Sequence, residues 1–388
     1  MASLHPRRRA NGDVSWRVLF RIGGKQAQET FNHEKGALEF IALVDRVGGD
    51  AARRTLEARR ENAGVPTLRE WTARYLDPTS GLLTGIEPGT RRDYQRIAER
   101  SFLPILGDMP VNAIEKPDIG RWIEWQERQP SGRVKGATMA AKTVRNYHGL
   151  LSSILTAAVE AKYSDSNAAH RTRLSKGGKR EGVFLSRPEF QTLLERVPDR
   201  YRGFVLFLAG TGVRWGEATA LTWGDINLHT TPPTVRIDKA WKKTAGGPAV
   251  LGIPKSSKSR RTVSLWPELV DALGTPGPAK SLVFAADKGG KLWPGRFHDS
   301  TWRPTVKAAN DAGMEKTPTI HDLRHTHASW LIAAGAPLPF VQARLGHEKI
   351  TTTVDTYGHL LPDAHVQMSA IMQDTLAGAL SSPLALEA

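Results

Sequence analysis

Four short runs in the second half of the chain carry residue types that can act on a charged centre. The first is Thr211–Gly212–Val213–Arg214–Trp215–Gly216–Glu217, continuing to Asp225. Gly212 turns the chain into a helix that has Arg214 in its first turn and Glu217 one turn on. A helix dipole disfavours a cation at its start, so an arginine there points to an anion. Taken alone, a surface ion pair with Glu217 explains it equally well. The second run, Ile253 to Leu265, holds Lys255, Lys258, Arg260 and Arg261. Two strands flanking a tight basic turn would project these cations from a hairpin tip. A lysine there can give up a proton where its surroundings lower its pKa, although a solvated basic loop has the same composition. The third run is His321–Asp322–Leu323–Arg324–His325–Thr326–His327. Residues i and i+3 share a helix face, so His321 and Arg324 aim at one spot while Leu323 packs inward and His327 lies further round. In the fourth, Leu345–Gly346–His347 precedes Tyr357 and Gly358. Gly346 permits a tight turn that exposes His347. Tyr357 by itself reads as a packing residue with a polar tip.

A metal reading of His321, His325 and His327 finds no HExxH pattern, and only Asp322 supplies a carboxylate at a ligand-like spacing. We therefore expect no metal and no cofactor.

The elements that would position these residues follow from hydrophobic periodicity. Val14, Trp16, Val18, Phe20 and Ile22 alternate with Ser15, Arg17, Leu19 and Arg21, which is the period of a half-buried strand. Gly23–Gly24 turns into a second strand, Gln26 to Phe31. His33 to Val47 then has helical spacing. A small sheet on one helix, with arginines on its open face, can lie in a DNA groove. Arg53 to Asn62 reads as a charged linker or helix extension. From Thr67 to Ala169 the pattern is helical. Thr67 and Glu70 form a capping box, and further helices run over Thr90 to Leu103, Lys116 to Gln129 and Ala140 to Lys162. Arg91, Arg92, Arg96 and Arg100 are candidate phosphate contacts. Lys176 to Arg180 is a basic, glycine-bearing hinge. Beyond it, helices at Arg187 to Val197 and Tyr201 to Gly210 lead into strands at Val235 to Ala240, Val250 to Pro254 and Thr262 to Leu265. The chain then returns to helices. The expected domains are 1–62, 63–175 and 176–373, followed by a tail at 374–388. In that tail Leu376, Leu380 and Leu384 could dock on a neighbouring protomer or fray.

Composition limits the partners. The 388 residues carry a formal net charge of +15 and no cysteine. A polyanion is the natural partner of such a chain, DNA first among them. Disulfides, thiolate zinc sites and cysteine nucleophiles are excluded. The longest apolar runs, such as Phe204 to Ala209, fall far short of the ~20 residues a membrane helix needs. Met1 to Ala10 has Arg7, Arg8 and Arg9 but no apolar stretch behind them, which predicts no secretory signal and a cytoplasmic protein.

Taken together, the runs around Arg214, Lys255, His321 with Arg324, His347 and Tyr357 resemble the active-site set of the tyrosine recombinases, the phage-type integrases, in order, spacing and flanking residues. The resemblance spans the whole last domain. The helical middle resembles the family's core-site-binding domain and, more loosely, the start resembles its three-stranded arm-binding domain. Ser256 departs from the threonine that many relatives carry after the lysine, and Lys258 is a nearby alternative to Lys255. The resemblance implies a mainly α fold with small β elements. It also implies a site-specific recombinase that cleaves and rejoins DNA through a 3′-phosphotyrosine at Tyr357, without metal or ATP. Arg214 and Arg324 would clamp the phosphate, and Lys255 would protonate the leaving 5′ oxygen. His321 would act as base and later as acid, His347 would bond the phosphate, and Glu217 would orient the arginine helix. The implied partners are double-stranded DNA with core and arm attachment sites, three further copies of the chain in a homotetramer, a DNA-bending protein and a directionality factor, with no membrane. A chromosome- or plasmid-resolving recombinase, a type IB topoisomerase-like strand transferase and a catalytically inert DNA-binding regulator are the competing readings.

Overall fold

The computed structural model describes residues 2–8, 13–132, 136–175, 177–178, 182–242, 244, 247, 249–253, 259–286, 289–357 and 369–376. The chain divides into two units, Met1–Lys179 and Arg180–Ala388. It is mostly helical, with small sheets.

The first unit opens with an antiparallel sheet in the order β1 (Ser3–Arg8), β2 (Val14–Ile22), β3 (Lys25–Phe31). The alternation in β2 is realised: Val18 and Phe20 are buried against Ala37, Phe40, Leu43 and Val44 of α1 (Glu34–Val47). His5 and Arg7 pair across from Arg17 and Ser15. Directly opposite residues share a face, so Arg7, Arg17 and Arg21 lie on the side of the sheet away from that core. The chain then reverses at Gly48, φ +83, and forms a separate helix, α2 (Gly49–Glu61), where a linker or helix extension was expected. Its arginines reach far in sequence: Arg54 pairs with Asp118 and Glu115, and Arg59 with Asp108.

Next come α3 (Leu68–Leu76), α4 (Pro88–Arg100), α5 (Leu103–Leu106), α6 (Lys116–Arg128) and α7 (Ala141–Glu160). The Thr67–Glu70 capping box is formed. Trp71, Phe102, Trp122, Leu151 and Ile154 make a second core. Arg91 departs from expectation, because its guanidinium donates to the carbonyls of Leu76 and Leu83 (2.8 and 2.7 Å). It ties a loop to a helix, where a phosphate contact had been expected. Arg96 is held by Asp93.

The second unit begins with α8 (Arg187–Leu194), α9 (Asp199–Thr211) and the one-turn α10 (Trp215–Ala218). The β section follows: β4 (Ile226–Asn227), β5 (Thr234–Ile237), β6 (Ala240–Lys242), β7 (Val250–Gly252) and β8 (Arg261–Ser264). The strands flanking the basic run do not make a hairpin with each other: β7 pairs with β6, whereas β8 pairs with β5. Burial explains the choice. Val263 of β8 lies opposite Val235 of β5, and both are in the core, where a buried valine contributes about 1.5–3 kcal/mol. Val250 and Leu251 of β7 are exposed. The chain ends in α11 (Pro267–Leu273), α12 (Pro294–Phe297), α13 (Arg303–Asp311), α14 (Asp322–Ala333), α15 (Leu338–Leu345) and α16 (Ile350–Tyr357), with a further exposed helix over 369–376. Lys176, Lys179 and Arg180 of the expected hinge, and 377–388 of the tail, lie outside the described residues. Among the described residues no helix is long and apolar enough to cross a membrane.

Candidate active site

The site is built where α9, α14 and α15 end or begin close together. Gly212 ends α9 in the left-handed conformation (φ +67), and a Cβ there would come within 2.5 Å of the His327 ring. Only glycine lets the chain pass so close to α14 while turning. Two residues on, Arg214 is the N-cap of α10 in extended conformation, just ahead of the helical turn in which it was expected. Its backbone N–H donates to Glu217 Oε2 and its Nη1 to Glu217 Oε1, both at 2.9 Å. This is not a surface pair, because Glu217 is 2% exposed. Burial alone would raise its carboxyl pKa. Arg261, whose Nη2 lies 3.0 Å away, and Arg214 outweigh that and hold it below the usual range.

Arg324 is 3% exposed, on the first turn of α14. Its Nη1 donates to Gly212 O (2.6 Å) and its Nη2 to Leu345 O (2.7 Å). The planar fork thus joins α14 to the ends of α9 and α15. Burial, then the nearby Arg214, lower its pKa to about 9, so it stays cationic at neutral pH. Arg214 Nη2 meets the next carbonyl, Gly346 O, at 3.5 Å. Gly346 ends α15 in the left-handed conformation (φ 66), and the turn presents His347. The His347 ring stacks on Tyr357 with centroids 6.5 Å apart and planes within 5°. It is half-buried, where exposure was expected. Its Nδ1 is 2.9 Å from Thr353 Oγ1. Loss of hydration, followed by Arg324 and Arg214, brings it down to about 3.

Tyr357 ends α16 and is 1% exposed. Burial pushes the phenol up to about 12, against the opposing pull of Arg324 and Arg214. Its hydroxyl is hydrogen-bonded to His325 Nδ1 at 2.9 Å. Phe184 packs edge-on against both rings. His321 caps α14 and shares with Arg324, Val213, Trp215 and His298 a cavity of about 300 Å³. The residue stands at the exposed rim. Lost hydration of the ring, then His325 and Arg324, lower it to about 4, and solvent screens part of that push.

The structure thus brings Arg214, Glu217, Arg324, His347 and Tyr357 together, with His321 beside Arg324. Lys255 and its alternative Lys258 lie outside the described residues. Two participants have roles here that the sequence does not indicate. Arg261 is nearly buried beneath Glu217 and also donates to Arg344 O (2.7 Å). His325, which the sequence raises only as a candidate metal ligand beside Arg324, is the described partner of the phenol. His327 is structural. Its Nδ1–H donates to Ala209 O (2.8 Å) and its Nε2 accepts from Arg344 Nε (3.1 Å). Asp322 accepts from the Thr319 N–H and hydroxyl, which caps the helix. Among the described residues no group of three or more histidines and carboxylates could hold a metal ion.

Such an arrangement suits attack on a phosphodiester. Fixed guanidinium groups stabilise the charge that gathers on non-bridging oxygens, and the tyrosine supplies a nucleophilic oxygen.

Residues 183–363 match the phage integrase family, and residues 67–125 match the phage integrase N-terminal SAM-like domain. The prophage phiRv2 integrase of Mycobacterium tuberculosis is 29% identical over 281 residues, 68% of each chain. The tyrosine recombinase XerD of Corynebacterium glutamicum is 27% identical over 305 residues, 75% of this chain and 92% of that one. Among solved structures, the Tn1549 transposon integrase in complex with a circular intermediate DNA superposes with a TM-score of 0.65 at 18% identity, covering 80% of this chain and 99% of that one. A lambda integrase tetramer bound to a Holliday junction gives 0.56 at 19% identity, covering 92% and 95%. With both family models matched in order and the arginines, histidines and tyrosine gathered in one place, this chain belongs to the phage integrase family of tyrosine recombinases.

Proposed function

We propose that this protein is a site-specific DNA recombinase that integrates, and under other conditions excises, a mobile element by cutting and rejoining strands through a 3′-phosphotyrosine at Tyr357. One observation carries the reading. Three consecutive residues, Leu345, Gly346 and His347, touch Arg324, Arg214 and Tyr357 respectively, so one short turn gathers both cations and the nucleophile.

The chemistry follows from that convergence. Arg214 and Arg324 bind the non-bridging oxygens and strengthen their hold as charge builds in the transition state. His347 hydrogen-bonds the phosphate. Lys255 donates the proton that the departing 5′ oxygen needs, and His321 serves proton transfer at the exposed rim. Glu217 fixes the arginine helix. The phosphotyrosine ester retains the energy of the broken bond, so a 5′ hydroxyl from another strand can attack it without ATP, and two guanidinium groups supply the charge that metal ions supply in many nucleases.

Double-stranded DNA is the partner. The 63–175 region would grip the core sites. The Arg7, Arg17 and Arg21 face of the sheet, within 1–62, would grip arm sites. Exchange between two duplexes uses four active sites, hence a homotetramer, as the lambda relative forms on a Holliday junction. The 374–388 tail would then dock on a neighbouring protomer. A DNA-bending protein and a directionality factor would set direction, and the work would take place in the cytoplasm. The family also includes recombinases of the XerD kind. The basic sheet at the start favours an integrase over a resolving enzyme or a topoisomerase-like strand transferase.

The test is covalent capture. The protein is incubated with nicked duplexes carrying a randomised core, and DNA that stays attached in denaturant is recovered and sequenced. Recovery of one sequence class linked to the peptide containing Tyr357 is the expected outcome. No adduct, or an adduct without sequence preference, contradicts site-specific recombination.

A further inference from the structure

The helix that carries the nucleophile is held from inside by two side chains. On α16 the buried residues are Thr353 and Tyr357, one turn apart, and each meets the Nδ1 of a histidine: Thr353 that of His347, Tyr357 that of His325, both at 2.9 Å. Threonine has no chemistry to perform there. Tyrosine must lose a proton before or during attack, and in this resting arrangement its side chain is buried.

We propose that His325 is the proton acceptor for Tyr357, a catalytic residue for strand cleavage distinct from His321. The inference rests on Tyr357 being the nucleophile, as argued above. With the imidazole neutral, the phenol O–H donates to the Nδ1 lone pair, which leaves the proton of the ring on Nε2. In cleavage the Tyr357 oxygen–phosphorus bond forms and the phosphorus–O5′ bond breaks. The phenolic proton moves to Nδ1, and a second proton, from Lys255, goes to O5′. In rejoining, the 5′ hydroxyl attacks and gives its proton back to Lys255, the phenolate leaves, and the imidazolium returns its proton to that phenolate. No outside reagent is consumed.

The surroundings fit this role. The charged and titratable groups acting on the phenol are Arg324, Arg214 and Asp322, and the His347 and His325 rings lie against it. Guanidinium groups cannot accept a proton, the Asp322 carboxylate is held by the Thr319 N–H and hydroxyl, and the Nδ1 of His347 is engaged by Thr353. Around His325 stand Asp322 and Arg324 on its own helix, His321 edge-on at 5.2 Å, Phe184 from the segment before α8, and Tyr357 from α16. Burial, opposed by Asp322 and reinforced by Arg324, keeps this imidazole below its ordinary value, so its lone pair is available at neutral pH. The phenol, near 12, is much the weaker acid. Transfer therefore accompanies phosphorus–oxygen bond formation, when Arg324 and Arg214 already draw negative charge toward the site.

The experiment compares single-turnover cleavage by the wild-type protein, His325→Ala and His325→Asn on the nicked duplex recovered by covalent capture. Asparagine keeps a polar atom near the Nδ1 position without its basicity. Both variants should bind this duplex within about threefold of wild type and cleave it about 10²–10³-fold more slowly at pH 7. Their rates should climb about tenfold per pH unit as hydroxide takes over the proton, while the wild type stays flat above neutrality. Added imidazole should partly restore His325→Ala. Replacing the bridging 5′ oxygen with sulfur, which leaves without a proton, should not close the gap. An asparagine variant at wild-type speed would make the contact positional. A faster alanine variant would make it a lock on the resting nucleophile. Either result, or pH profiles identical to wild type, overturns the proposal. Absence of any adduct with the wild-type protein sinks the recombinase reading instead.

Discussion

Glu217 is shared by two arginines: Oε1 accepts from Arg214 and Oε2 from Arg261, the latter contact almost wholly buried. Its charge therefore keeps two cations from repelling each other beneath the phosphate site. Glu217→Ala should destabilise the 180–388 unit by about 3–5 kcal/mol, since it strands the buried Arg261 guanidinium. Calorimetry should show the loss in one transition and leave that of the 1–179 unit in place. An unshifted transition would mean that Arg261 finds another anion or reaches water.

Arg214→Lys keeps the charge but loses the fork. Binding of the captured duplex should change little, and cleavage should fall about 10²–10³-fold, the range seen when one preorganised transition-state donor is removed. Single-turnover kinetics gives the number. A rate within a few-fold of wild type would show that a point charge suffices.

His327 makes the unit sensitive to acid. Its Nε2 accepts from Arg344, so a proton there replaces a hydrogen bond with a repulsion. Burial, then Arg344, lower its pKa to about 3. The unfolded chain has the ordinary value near 6.5, so between those two values the unfolded state binds more protons. Stability is thus full above about pH 6.5 and falls by up to ~1.4 kcal/mol per pH unit as pH drops toward 3. His327→Gln should flatten that part of the curve in urea titrations at stepped pH. An unchanged slope would place the acid sensitivity elsewhere.

Much of this organisation was readable beforehand, for local reasons. The period of two in β2, the Thr67–Glu70 cap and the shared face of His321 and Arg324 each depend on residues a few positions apart, and all three are formed. What was not readable depends on distant partners. Arg91 is an ordinary surface arginine until the loop carbonyls of Leu76 and Leu83 are placed beside it. The strands around the basic run suggest a hairpin until Val263 is seen to complete a core with Val235. Arg261 and His325 owe their roles to Glu217 and Tyr357, 44 and 32 residues away, distances that no periodicity reports.

Phosphate contacts predict steep salt dependence. Each neutralised phosphate contributes a slope of about −0.9 in log K against log salt. Filter binding across a salt series should therefore give a strongly negative line, and cleavage at fixed occupancy should survive a chelator. A flat line removes DNA as the charge partner. Loss of cleavage in chelator restores a metal mechanism.

The most direct test is of the covalent link between Tyr357 and DNA. Wild-type protein and Tyr357→Phe are each incubated with the captured nicked duplex, digested, and the DNA-linked peptide is read by mass spectrometry. The wild type should yield one adduct, on the Tyr357 peptide, and the phenylalanine variant should bind equally well and yield none. An adduct that persists in the variant, or one mapped to another residue, contradicts the account.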